Sequence, residues 1–80
     1  MARYFFHIKD GVHLVKDEEG TELADAQEAH KQAIISAREL LANAIRSGQP
    51  LQADAVVVAD EHGTELIFVP FAHVLPERLK

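Results

Sequence analysis

There is no cysteine among the 80 residues, which excludes a disulfide framework and any thiolate metal site. The core must come from packed side chains alone, and a chain this short hides only about two-thirds of its unfolded surface. Basic residues are few: eight Lys and Arg against thirteen Asp and Glu leave a formal charge of −5. A nucleic-acid-binding surface needs clustered cations facing phosphates, so no nucleic-acid partner is expected. Long apolar runs are missing too. The first apolar stretch, Tyr4 to Ile8, is interrupted by His7 and is far shorter than a signal-peptide core. Nothing approaches the roughly 20 apolar residues that cross a bilayer, so no membrane role and a cytoplasmic location are expected. What is present suits a globular protein. A hydrophobic fraction of 48% and a charged fraction of 26% provide a core and exclude a disordered chain.

The local patterns predict one α+β domain spanning 1–80, ordered β-β-α-β-β. A first hairpin covers about 3–16. Arg3 to Lys9 is rich in aromatic and branched residues, and Asp10-Gly11 suits a two-residue turn with positive φ at its centre. That turn sets Ile8 opposite His13, Phe6 opposite Val15 and His7 opposite Leu14. The acidic turn Asp17-Glu18-Glu19-Gly20 ends the hairpin, and Thr21 to Leu23 adds a short extended piece. A helix follows over about 25–47. Asp25 and Glu28 form a capping-box pattern, and Ala26, Ala29, Ala33, Ala37, Leu40, Leu41, Ala44 and Ile45 make one apolar stripe. Gly48 and Pro50 supply the stop. At 1.5 Å per residue the helix runs about 33 Å, longer than the strands it covers. A second hairpin over about 55–69 turns at Asp60-Glu61-His62-Gly63, with Gly63 left-handed after a type I turn, giving a bulged hairpin. Residues 70–80 form a tail in which Pro76 limits any helix.

One helix covers one face of a sheet. Side-chain alternation assigns Tyr4, Phe6, Ile8, Val15, Val56, Val58, Leu66 and Phe68 to that covered face. The other face then receives Phe5, His7, Leu14, Val57, Ala59, Ile67 and Val69, which is mainly apolar where a solvated face would be polar. Two covers are available: the tail, folding back through Phe71, Val74 and Leu75, or a second copy of the chain. The expectation is a homodimer, with Phe5, His7, Leu14, Val57, Ile67 and Val69 as its interface.

No pattern carries catalysis. His7 and His13 point to opposite faces, His30 falls on the helix stripe, where it is expected to be partly buried, and His62 and His73 lie in a turn and the tail. None shows zinc-ligand spacing. The 17–20 acidic run lacks the alternating ligands of a calcium loop, and Asp25 and Glu28 occupy the helix end where an anion would bind. No serine lies in a nucleophile elbow. No catalytic, metal or cofactor site is expected.

Arg3-Tyr4-Phe5-Phe6-His7, Asp10-Gly11, Asp17-Glu18-Glu19-Gly20, the Ala-rich helix, the Ser47-Gly48-Gln49-Pro50 exit and Val58-Ala59-Asp60-Glu61-His62-Gly63 together resemble a family of small bacterial proteins known as a domain of unknown function. The resemblance covers nearly the whole chain and implies a fold and a bacterial origin, with no activity to carry over. A weaker likeness, through Asp17 to Gly20, Asp25 to Glu28 and Gly48 to Pro50, is to the N-terminal domain of HicB-like antitoxins. That likeness implies a basic protein partner, although the DNA-binding segment such antitoxins carry is absent here. The function expected is a non-enzymatic, dimeric interaction or regulatory accessory module. The alternatives are an antitoxin-type partner of a basic protein, or a small ligand-binding domain or enzyme using His7 and the acidic turn.

Overall fold

The computed structural model describes residues 1–48 and 53–75. The expected roles of Gln49 and Pro50 at the helix exit, of Pro76, and of the tail beyond 75 lie outside the described residues. The fold is α+β. Strands β1 (Ala2–Asp10), β2 (His13–Val15) and β3 (Thr21–Leu23) precede helix α1 (Ala26–Ser47). Strands β4 (Ala55–Ala59) and β5 (Glu65–Pro70) follow, and a 3₁₀ turn, Phe71–Val74, comes after them. The antiparallel sheet runs β2-β1-β4-β5, and β3 pairs with β1 on the same edge as β2.

The helix begins and ends where its caps demand. The Asp25 carboxylate accepts the Glu28 amide at 3.0 Å, and Gly48 closes the helix in the left-handed conformation at φ 71°, its amide bonded to the Ala44 carbonyl. Ala29, Ala33 and Ala37, one turn apart, are fully buried against Val56, Val58, Val69 and Tyr4. Methyl-sized side chains let the helix axis sit close to the sheet. The stripe fades at both ends: Ala26 is exposed, and Ile45 is 70% exposed. His30, expected to be partly buried on the stripe, faces solvent instead.

The first hairpin departs from the expected register, and the second from the expected alternation of faces. In the first, Gly11 has φ 58° and no described non-glycine residue has positive φ, so the turn uses Gly11-Val12 with glycine first, the type II′ pattern. An Asp10-Gly11 turn would have required positive φ at Asp10, at a cost of about 1–2 kcal/mol. Ile8 therefore faces Val15 rather than His13, and Lys9 rather than His7 faces Leu14. A shift of two leaves the faces unchanged. Val15, expected in the core, shares the helix side with Ile8 but is largely exposed, since α1 lies over β4, β5 and β3.

The second hairpin differs by one residue, and that inverts a strand. Its turn is as expected, with Gly63 at φ 82° and its amide bonded to the Asp60 carbonyl at 3.1 Å. Beyond it Ala59 pairs with Glu65, but Val58 pairs with Ile67, Val57 with Phe68 and Val56 with Val69. Leu66 is an extra residue, a bulge, and each later side chain in β5 changes sides. Ile67 and Val69, assigned to the open face, pack against the helix-side core. Leu66 and Phe68, assigned to that core, are exposed instead. Within the tail, Phe71 is buried and Val74 packs on the same helix-side cluster, so these two residues do not cover the second face.

Candidate functional site

Two arrangements gather the polar side chains that stand out in the sequence. The first is a clasp at the edge of β1. Strand β3 pairs with Ala2 to Tyr4 and β2 with Ile8 to Asp10, leaving Phe5 to His7 with no strand on that side. The connecting loop fills the gap with side chains. Asp17 Oδ2 accepts the Phe6 amide at 3.1 Å, where a strand carbonyl would otherwise sit, and Oδ1 accepts the Glu19 and Gly20 amides at 3.2 and 3.1 Å. The Asp17 amide donates to His7 Nδ1 at 3.1 Å. An imidazole nitrogen that accepts carries no proton, so the neutral ring bears its hydrogen on Nε2. Burial pushes the Asp17 carboxyl up, but the bonds from Phe6, Gly20 and Glu19 hold it below its ordinary value.

Arg3 completes the clasp. Its Nη1 donates to the Glu19 carbonyl at 2.7 Å and its Nη2 pairs with Glu22 Oε1 at 3.1 Å. Gly20 sits beneath it at φ 72°, and a Cβ there would stand 2.8 Å from Arg3 Cγ and 2.9 Å from Phe5 Cε2. Gly20→Ala is thus expected to cost about 2 kcal/mol, from left-handed strain and from displaced neighbours. Urea denaturation measures this, with Gly48→Ala as the control, since Gly48 shares the positive φ, at 71°, but nothing crowds a Cβ there.

The second arrangement is a half-open groove of about 330 Å³ on the sheet face away from α1, lined by Phe5, His7, Leu14, Lys16, Ala59, Asp60, Glu61, Gly63 and Glu65. Phe5 and His7 stack along it with ring centroids 6.4 Å apart. Asp60 is occupied by its own turn, accepting the His62 and Thr64 amides at 2.8 and 2.9 Å. Lys16, Glu61 and Glu65 form no ion pair with any described residue. Beyond the groove, Phe68 lies 56% exposed with the Lys9 ammonium 5.7 Å from its ring centroid. Among the described residues no three His, Asp or Glu side chains are grouped to hold a metal ion.

Of the six expected interface residues, Phe5, His7, Leu14 and Val57 share the open face, while Ile67 and Val69 are turned from it. Val57 is itself only 2% exposed, set between its cross-strand neighbours His7 and Phe68. Sequence reasoning missed Phe68, and the only signal was the bulge that one added residue creates.

The residues of the clasp are those of the Arg3-to-His7 and Asp17-to-Gly20 signature, and the signature has a match. The model of the family described as Domain of unknown function (DUF6894) covers residues 3–72. The chain belongs to this family. No curated protein, HicB-like antitoxins included, and no solved structure matches it. The DUF6894 match starts at Arg3 and ends at Ala72, so it takes in the clasp, the helix and both hairpins. No helix among the described residues is long and apolar enough to cross a membrane.

Proposed function

We propose that this chain is a non-enzymatic interaction module that works as a homodimer, joined through the sheet face opposite α1. The observation that carries the reading is Phe68. It is a large aromatic side chain more than half exposed, on a sheet face that α1 and the Phe71–Val74 turn leave uncovered. Leu14, on the same face, is exposed as well, at 38%, and Phe5 stands beside it. Isolated apolar residues are common on surfaces, but several together on one small domain mark a contact. The clasp supports the same reading, because the acidic turn spends Asp17 on backbone amides and His7 Nδ1 on the Asp17 amide. That leaves the pair organised for loop geometry rather than for proton transfer.

Sedimentation velocity at micromolar concentration is expected to show a dimer. Phe68→Asp is expected to weaken it at least about 30-fold, the loss of roughly 2 kcal/mol for a central aromatic anchor. Ile35→Asp, on the helix, is expected to leave it unchanged. A wild-type monomer across that range would refute the proposal. A ligand-binding reading has one observation in its favour, the groove that places His7 near Glu61 and Glu65. Amide shift changes confined to His7, Lys16 and Glu61 during a metabolite titration would favour it over the dimer.

A further inference from the structure

Strand β5 lies at the end of the sheet, and no described strand pairs with its outer side. The hydrogen bonds fix which of its residues face outward. The Phe71 amide donates to the Asp54 carbonyl at 2.9 Å, in the register that sets Ala55 opposite Pro70 and Val56 opposite Val69. Bonded rungs alternate along an antiparallel ladder. Val69 and Ile67 therefore turn their amides and carbonyls towards β4, and Phe68 turns both of its own away. Pro70 falls on an outward rung too, where its missing N–H takes no bond from β4. The opposite edge is closed differently. There β1 is flanked by two strands of three residues each, and Asp17 accepts the Phe6 amide between them. Beside its outward amide, the Phe68 ring is more than half exposed.

We propose, resting on the self-association reading above, that the second copy joins where the open face borders this edge. The two β5 strands pair antiparallel about a twofold axis perpendicular to the sheet. Phe68 of each chain exchanges both backbone bonds with the partner's Phe68, and the two rings meet side by side on the face opposite α1. The two sheets become one, with both helices on the same side. A second copy fits this edge because the twofold makes one residue serve as donor and acceptor for both chains. It also sets an aromatic ring opposite an aromatic ring, a favourable cross-strand pair. Pro70 selects the register. With the axis at Val69, Pro70 would stand opposite Phe68, and the Phe68 carbonyl would meet a residue with no N–H to give. Glu65, the charged residue of the strand, lies away from the axis, so the two carboxylates stay at opposite ends.

The test starts from the sedimentation of wild type and then compares Phe68→Ala with Phe68→Pro. Both remove the ring, and only proline removes the outward amide. That amide makes no bond to β4, so both variants are expected to keep the sheet, which circular dichroism checks. Phe68→Pro is expected to self-associate at least about tenfold more weakly than Phe68→Ala, from two lost hydrogen bonds. Wild type supplies a second measurement. In a dimer mixed from isotope-labelled and unlabelled chains, NMR is expected to show contact between the Ile67 Hα and the Hα of the partner's Val69. This pairing sets their Cα atoms about 4.5 Å apart. A dimer without that contact, or one that proline weakens no more than alanine, would overturn the edge pairing while leaving self-association standing. A monomeric wild type would overturn both and leave the edge to a foreign strand.

Discussion

Asp17→Ala is expected to lower the unfolding free energy by about 3 kcal/mol, a large share of the roughly 4–12 kcal/mol available to 80 residues. The carboxylate accepts three backbone amides, those of Phe6, Glu19 and Gly20. Hydrogen bonds to an ionised group are the stronger kind, and the Phe6 amide is part-buried with no strand beside it to take over. Asp17→Asn should recover only part of the loss. Its oxygen can serve one side, but its amide group then faces a donor with a donor. The effect is expected to depend on pH with a definite sign. The Asp17 pKa is lowered in the folded chain, so its contribution is complete above the carboxylate pKa of the unfolded chain. It disappears as pH falls through the lower, folded value. Urea midpoints of wild type and Asp17→Ala should therefore converge in acid and separate towards neutrality. A gap that stays constant across the carboxylate range would refute the assignment.

Ala33→Leu is expected to cost about 2–3 kcal/mol and to lower the melting temperature by about 10–20 °C. Ala33 is fully buried midway between Ala29 and Ala37, facing the valines of β4. Three added carbons have no void to enter in an interior packed this closely. The helix must lift from the sheet, and Tyr4 and Phe71, which share the cluster, lose contact with it. Ala42→Leu is the control, because Ala42 is exposed on the same helix and leucine is nearly as good a helix former as alanine. Calorimetry of the two variants separates packing from propensity. Equal melting temperatures would mean that the small-residue contact does not set the distance between helix and sheet.

Much of the architecture is legible in local chemistry. Asp25 and Gly48 bracket the helix because each satisfies backbone groups that the helix itself leaves free. The Ala29, Ala33 and Ala37 spacing selects the buried stripe because 3.6 residues make a turn. The Asp60 to Gly63 turn is readable because a glycine is needed where φ is positive. The open face is only partly legible. Phe5, His7, Leu14 and Val57 follow from alternation in β1, β2 and β4, while Ile67 and Val69 do not, since alternation carries no memory of a bulge.

The residues themselves determined the helix, its ends, the strand-forming segments and the presence of apolar side chains beyond what one helix can hide. All of these depend on preferences that act within a few residues. Tertiary structure alone decided which side of β5 meets the helix, and that Asp17 and His7 tie a loop to the β1 edge. It also decided that the Phe71–Val74 turn packs beneath α1 rather than across the second face. The physical reason is common to the three. Each outcome turns on pairing between segments distant in the chain, where one inserted residue or one unfilled rung in the ladder changes what a side chain meets.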